Sequence, residues 1–159
     1  MREFKQIALV VKDIDKTMKH YWEILGIGPW DVRHFSNETV RDFHVKGKRV
    51  TEDFEFIVAL CWEGDIELEL IQPVKGPNIY WEFLEKKGEG IHHFKEVVET
   101  EKIPQMVQNF KDKGYEVAQT GWIDNDVHYY FNTVEELGYN YEIGNSGKIG
   151  SPDRRYPEL

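Results

Sequence analysis

Four side chains that could hold a metal ion fall on predicted strands of this sequence: Gln6, Glu69, His93 and Glu142. Successive side chains of a strand point to opposite faces, so the apolar neighbours show which face each polar residue shares. In each strand the apolar alternates are expected to pack on a helix, which leaves all four polar residues on the other face. An amide oxygen, an imidazole and two carboxylates that converge in one cavity form a site for a divalent metal.

The strand that contains His92 and His93 could pair with its neighbours in a second register. Strict alternation predicts that His92 faces away from His93 and Lys95, whereas a slip by one residue exchanges the two histidines. Taken singly, Gln6 and Glu69 could be solvated residues on the wet face of a sheet, and His93 could be a hydrogen-bonded core histidine. Their joint occurrence at corresponding strand positions favours a metal site.

Two copies of one pattern, a strand, a helix and three strands, position these residues. The first copy has a strand at 4–11, a helix at 14–25 and strands at 30–35, 54–62 and 66–71; the second has a strand at 91–99, a helix that ends at Gly114 and strands at 115–123, 127–133 and 139–143. Each copy is too small to bury its own sheet, so the two are expected to share a core. This predicts an α+β fold in which paired βαβββ modules form a curved, cup-shaped mixed sheet with helices on its outer face.

A single domain is predicted for residues 1–144, with modules at about 1–75 and 89–144, followed by an irregular tail at 145–159. The chain of 159 residues has 20 Lys and Arg against 29 Asp and Glu, a net charge of −9, which argues against nucleic acid as a partner. One cysteine excludes an intrachain disulfide and a cysteine-based zinc site. No apolar run approaches the ~20 residues of a membrane span, and the start lacks the apolar core of a signal peptide, so we expect a cytoplasmic protein with no membrane partner.

At this point the sequence resembles the vicinal oxygen chelate superfamily, which is also called the glyoxalase/bleomycin resistance/dioxygenase superfamily. The matching stretches are Gln-Ile-Ala-Leu-Val-Val-Lys-Asp-Ile at 6–14, Glu-Leu-Ile-Gln-Pro at 69–73, Gly-Glu-Gly-Ile-His-His-Phe at 88–94 and Tyr-Asn-Tyr-Glu-Ile at 139–143. The second and third stretches look especially like the methylmalonyl-CoA epimerase branch.

The resemblance implies one divalent ion, Zn, Ni, Co, Mn or Mg, held by Gln6, Glu69, His93 and Glu142. Epimerases usually have His at the first position, so Gln6 departs from that branch. Zinc-using glyoxalase I enzymes are more similar there, because they pair Gln and Glu in one half with His and Glu in the other. Related proteins often dimerise, so a homodimer is expected. The same fold also serves metal-free antibiotic-binding proteins.

The chemistry that the resemblance implies is proton transfer α to a carbonyl through an enediolate, by an isomerase or lyase. Glu142 is the expected base, and Glu52 lies near the position of the second acid/base that an epimerase needs. Methylmalonyl-CoA epimerase-like activity on an acyl thioester is the first prediction. There are two alternatives. One is a glyoxalase I (lactoylglutathione lyase)-like enzyme that acts on a hemithioacetal, and the other is a metal-free small-molecule-binding or resistance protein.

Two further residues are candidates for substrate contact. Lys95 shares a face with His93 and could bind a substrate carboxylate or phosphate, or pair with a neighbouring Glu, because a buried lysine needs a partner. Trp30 follows the Gly28-Pro29 turn and could line the mouth of the cavity.

Overall fold

Residues 1–158, which the computed structural model describes, form one mixed sheet with helices packed against it. The strands are β1 Phe4–Val10, β2 Trp30–Ser36, β3 Arg41–Val45, β4 Lys48–Arg49, β5 Glu55–Glu63, β6 Ile66–Lys75, β7 Gly90–Val97, β8 Val117–Ile123, β9 Asp126–Phe131, β10 Asn140–Gly144 and β11 Arg154–Tyr156. The helices are α1 Ile14–Leu25, α2 Ile79–Lys87, α3 Ile103–Asp112 and α4 Val134–Leu137. None of these helices is long and apolar enough to cross a membrane. Leu159, the last residue of the predicted tail, lies outside the described residues.

Helix α1 begins and ends where its local sequence predicts. The Asp13 side chain accepts a hydrogen bond from the backbone N–H of Lys16, which satisfies a donor that the first turn leaves free. Gly26 ends the helix in the left-handed region, with φ of 68°, and its N–H donates to Trp22 O. The helix then packs its apolar face, including Met18, on the sheet.

The two modules repeat the same strand order on either side of the middle of the sheet. The order is β2-β5-β6-β1 in the first module and β7-β10-β9-β8 in the second. In each module the first strand pairs in parallel with the last, β1 with β6 and β7 with β10, and β1 pairs antiparallel with β7. The sheet stays open, with edges at β11 and β4. The predicted α+β fold is confirmed, and one chain supplies both halves of the cup.

Of the three longer helices, α1 and α3 lie on the outer face of the sheet and α2 lies elsewhere. Helix α1 packs against apolar side chains of the first module, and α3 packs against Phe131 and Ile143 of the second. Helix α2 instead contributes Ile79 and Tyr80 to the inner cluster, which also contains Ala8 of β1. Helix α2 therefore packs on the inner side of the cup, next to the face that carries the polar residues.

Two segments cross between the modules. The β3–β4 hairpin leaves the first module and pairs with β8, the outer strand of the second module. After β10 the chain returns, and β11 pairs with β2 of the first module. Ion pairs from Arg154 to Asp15 (2.5 Å) and from Arg155 to Asp31 (2.7 Å) accompany this pairing. The predicted irregular tail therefore contains a short strand that fastens it to the first module.

Candidate metal centre

The four predicted donor residues meet because β6, β1, β7 and β10 are neighbours in the sheet. His93 Nε2 lies 3.1 Å from Gln6 Oε1, 3.2 Å from Glu69 Oε2 and 2.9 Å from Glu142 Oε2. His93 is fully buried, and the Glu142 side chain is 3% exposed. Each module contributes two of the four side chains, so the centre lies on the boundary between them.

Two carboxylate oxygens in this centre lack a hydrogen-bond donor. His93 Nε2 can carry at most one proton, which Gln6 Oε1 and the two carboxylate oxygens would have to share. Within residues 1–158, Glu69 Oε2 and Glu142 Oε2 are buried and have no hydrogen-bond partner. Such orphaned acceptors are costly unless a cation compensates them.

The three distances from His93 Nε2 to the donor oxygens are close to the separation of two ligands on one ion. Two atoms bound at about 2.1 Å to one ion, at right angles to each other, are about 3.0 Å apart. In the described part of the chain, His, Cys, Asp and Glu side chains alone form no group of three or more that is spaced as a metal site. Glu69 and Glu142 contact His93 directly, at 3.2 and 2.9 Å, and the fourth member of the set is the Gln6 amide.

A β-bulge brings both histidines to the same side of the sheet. In the β1–β7 pairing, Ala8 is opposite His93 but Leu9 is opposite Ile91, so His92 is the extra residue. His92 is fully buried, and its Nδ1 lies 2.8 Å from Nδ1 of His93. The prediction that the two rings face opposite sides is therefore wrong, because strict alternation fails at a bulge.

Charges in the centre shift the pKa values of its groups. Burial alone would lower the pKa of His93, but interactions with Glu142 and Glu69 outweigh it and raise this pKa to about 9. Burial alone would raise the pKa of Glu142, but His93 and Lys95 hold it below its ordinary value. Without a metal, these interactions favour protonated His93 at neutral pH, so the imidazolium is the cation beside both carboxylates, and Glu142 is ionised.

Lys95 is buried next to the centre, as the sequence predicts. Its Nζ lies 3.5 Å from Asp126 Oδ1 and 3.9 Å from Glu142 Oε1. These two carboxylates provide the partners that a buried lysine needs. Lys95 donates a long hydrogen bond to Asp126, and because an ammonium has three N–H groups it keeps hydrogen-bonding capacity toward the cavity.

A cavity of about 270 Å³ opens onto Gln6, Glu69 and Lys95. Its other walls are partly apolar and partly polar: Lys5, Phe35, Val58, Leu60, Trp62, Glu67, Val97, Ile123, Asp126, Ser146, Gly147 and Ile149. Residues 146–149 belong to the returning tail, which therefore covers part of the cavity. A cavity of this size accommodates a small molecule or the reacting end of a larger one.

Two further carboxylates line the cavity, Glu67, which shares a face with Glu69 by strand alternation, and Asp126. The Gln6 amide donates from Nε2 to Glu67 Oε1 at 2.7 Å. Burial and the charge of Glu69 raise the pKa of Glu67 to about 7, and burial raises that of Asp126 to about 6 although Lys95 opposes this shift. Asp126 begins β9, where the hairpin turn gave no sign that its side chain would reach the cavity.

The structure does not bring Trp30 and Glu52 to this centre. Trp30 is fully buried among residues that pack on α1, and its Nε1 donates to Ile27 O. Side chains alternate between the two faces along β2, and Trp30 is on the outer face, away from the cavity. Glu52 is exposed in the loop before β5, where its Oε2 accepts from Thr51 N, and it is not among the residues that line the cavity.

The sequence matches the model of a known superfamily. A family model described as the Glyoxalase/Bleomycin resistance protein/Dioxygenase superfamily matches residues 5–131. The chain belongs to this superfamily. Glu142 lies beyond the matched residues.

Individual relatives are distant. The uncharacterized protein YqjC of Bacillus subtilis (strain 168) is 30% identical over 93 residues, which are 58% of this chain and 55% of that protein. The chain thus spans about half the length of this curated relative. The structure of the hypothetical protein BH1468 from Bacillus halodurans C-125 is similar, with a TM-score of 0.68, 18% identity, and coverage of 94% of this chain and 98% of that one.

Methylmalonyl-CoA epimerases are also among the similar structures. The enzyme from Mycobacterium tuberculosis has a TM-score of 0.62 at 14% identity and covers 91% of this chain and 88% of its own. An epimerase in complex with methylmalonyl-CoA and NH4+ has a TM-score of 0.63 at 17% identity, with 96% and 99% covered. At these identities the likeness concerns the fold.

Proposed function

We propose that the protein is a metal-dependent isomerase or lyase that transfers a proton α to a carbonyl group. The observation that carries this proposal is the pair of buried, unpartnered carboxylate oxygens of Glu69 and Glu142 beside His93 Nε2. Gln6, Glu69, His93 and Glu142 would hold one divalent ion. When bound, such an ion polarises the substrate carbonyl and stabilises an enediolate.

Glu142 is the proposed base. It is buried at the centre, behind the residues that line the cavity, and its lowered pKa keeps it ionised at neutral pH. An ionised carboxylate in this place would accept a proton from the carbon next to a carbonyl held at the centre. Lys95 is proposed to bind an oxygen or anionic group of the substrate, because its Nζ faces the cavity with two long carboxylate contacts. The acid/base role that the sequence assigned to Glu52 is better suited to Glu67, which lines the cavity.

The first candidate substrate is an acyl thioester of the methylmalonyl-CoA type. The structural likeness to methylmalonyl-CoA epimerases supports it, and the cavity would take the acyl end while the bulk of the thioester stays outside. The second candidate is a hemithioacetal, as in glyoxalase I. The observation that favours it is the position of Gln6, whose amide oxygen faces His93 where epimerases usually have a histidine.

Metal content tests the centre. Wild type, His93→Ala and the control His20→Ala, which changes an exposed histidine of α1, are incubated with Zn, Ni, Co or Mn and desalted. We expect about one ion per chain in wild type and in the control, and loss of the ion in His93→Ala. No retained ion in wild type under any of these conditions contradicts a metal-dependent enzyme and favours a metal-free binding protein.

Exchange of the α-proton tests the reaction. In D2O, the metal-loaded protein is expected to incorporate deuterium at the α-carbon of methylmalonyl-CoA, and Glu142→Gln is expected to lower the rate by about 10²–10⁴-fold. The hemithioacetal of methylglyoxal and glutathione is assayed in parallel. Turnover of the hemithioacetal alone selects the second candidate, and turnover of neither substrate by metal-loaded protein counts against both substrate assignments.

A further inference from the structure

His92 is a buried polar residue that the proposed donor set does not use. The bulge in β7 directs its ring to the same side as that of His93. Aromatic rings fix it there: its ring centre lies 4.9 Å from that of Phe83 and 5.3 Å from that of Tyr80, both edge-to-face. A fully buried imidazole needs partners for both nitrogens, and these partners indicate what the residue does.

Both ring nitrogens of His92 have a partner. On one side, Nδ1 lies 2.8 Å from Nδ1 of His93. On the other side, Nε2 lies 3.2 Å from the amide nitrogen Nδ2 of Asn140, which is itself buried at the start of β10. His93, His92 and Asn140 therefore form a continuous chain of hydrogen bonds that leads away from the proposed metal.

The direction of these hydrogen bonds follows from the chemistry of a neutral imidazole, which has one donor and one acceptor nitrogen. If His93 gives Nε2 to a metal, its proton must be on Nδ1, and that N–H points at His92 Nδ1. His92 then accepts on Nδ1 and carries its own proton on Nε2. This N–H is directed at Asn140, whose amide can present Oδ1 as the acceptor after a half-turn of the group.

We propose that His92 and Asn140 are positioning residues that fix the proton of His93 on Nδ1 and direct its Nε2 toward Gln6, Glu69 and Glu142. The inference rests on the proposed function because it assumes that His93 Nε2 binds a metal. Outer partners of this kind fix the orientation and tautomer of ligating histidines, and their loss typically weakens metal binding by 10–100-fold.

The test compares variants that keep or remove an acceptor. His92→Gln and Asn140→Asp keep an acceptor, whereas His92→Leu and Asn140→Leu remove it. His128→Gln is the control, because His128 is also a buried histidine near the centre but its hydrogen-bond partner is Gln119. Co2+ affinity and the visible spectrum of bound Co2+ are measured for each purified variant, and circular dichroism verifies that each is folded.

We expect the two Leu variants to bind Co2+ 10–100-fold more weakly and with a changed spectrum. Asn140→Asp and His92→Gln should stay within a few-fold of wild type and of His128→Gln. Unchanged affinity and spectrum in the folded Leu variants would overturn the proposal. Equal losses in Asn140→Asp and Asn140→Leu would also overturn it, because the aspartate can only accept.

Nitrogen-15 spectra of the metal-free protein separate this inference from the proposed function. The ring nitrogen signals of His93 are expected to shift in His92→Leu but not in His128→Gln. If wild type binds no Co2+, the metal-dependent function fails, and these spectra still decide whether His92 holds the ring. Unshifted His93 signals in His92→Leu would reject the positioning role.

Discussion

The Gln6 amide has a defined orientation because its two ends have different partners. Its Nε2 donates to Glu67 at 2.7 Å, which leaves Oε1 facing His93 Nε2 at 3.1 Å. We therefore expect Glu67→Ala to weaken metal binding by about 10-fold, since the amide loses the partner that orients its oxygen. Competition with a chromophoric chelator measures the affinity.

Glu52→Ala is the matched control for this prediction. Glu52 is an exposed carboxylate outside the cavity, so its removal should change neither metal affinity nor turnover. A fall in turnover in Glu52→Ala comparable to that in Glu67→Ala would return the acid/base role to the residue that the sequence suggested.

His128 makes the stability of the fold depend on pH. Burial, with the positive charges of Lys95 and His93 and against the opposing charge of Glu142, lowers its pKa from 6.5 to about 4. The neutral form is favoured in the folded state, so its contribution is complete above pH 6.5 and is lost as the pH falls toward 4. Over that window we expect wild type to lose up to about 3 kcal/mol relative to His128→Gln. Urea unfolding of both proteins at pH 7 and pH 4 measures the difference. If both proteins lose the same free energy of unfolding between these pH values, His128 is not the source of the pH dependence.

At the scale of elements, the alternation of side chains along a strand predicts the face of each site residue wherever the strand is regular. Glu69 and Glu142 lie on regular stretches of strand, so the period of two directs them correctly to the inner face. Gln6 also follows this period along β1, although its pairing with β7 shifts register between Phe4 and Gln6. His92 was assigned to the wrong face because a bulge adds one residue to a strand without a clear signal in its sequence. Trp30 was misplaced for a different reason, since an aromatic residue after a turn suits a cavity mouth and a core equally well.

The β3–β4 hairpin could not be predicted from the sequence because its partner strand is distant in the chain. It pairs with β8, and Phe43 in it packs at 4.2 Å between ring centres on Phe54. Phe43 is 3% exposed, so Phe43→Ala should destabilise the protein by about 3–5 kcal/mol through lost burial and a cavity. Chemical unfolding measures this, with Phe4→Ala, an exposed phenylalanine of β1, as the control. A loss of unfolding free energy in Phe43→Ala that is as small as that of an exposed residue such as Phe4 would show that Phe43 adds little to the core.

At the scale of the molecule, the proposed metal lies where the two modules meet. Gln6 and Glu69 come from the first module and His93 and Glu142 from the second, across the β1–β7 pairing. Without an ion, Glu69 Oε2 and Glu142 Oε2 are buried at this boundary with no hydrogen-bond partner among residues 1–158, and only the His93 imidazolium offsets their charge. A ligand that binds only when both modules are in place stabilises the whole fold through mass action.

Metal should therefore raise the unfolding temperature through donors of both modules. At about 100 times the dissociation constant, the gain is about 2.7 kcal/mol, or about 5–10 °C for a chain of this size. Calorimetry with and without Zn2+ should show this shift in wild type and in His20→Ala. Glu69→Ala and His93→Ala, one donor from each module, should both lose it. A shift that survives in one of these two variants would mean that the ion binds within a single module, because an ion that bridges the boundary needs both.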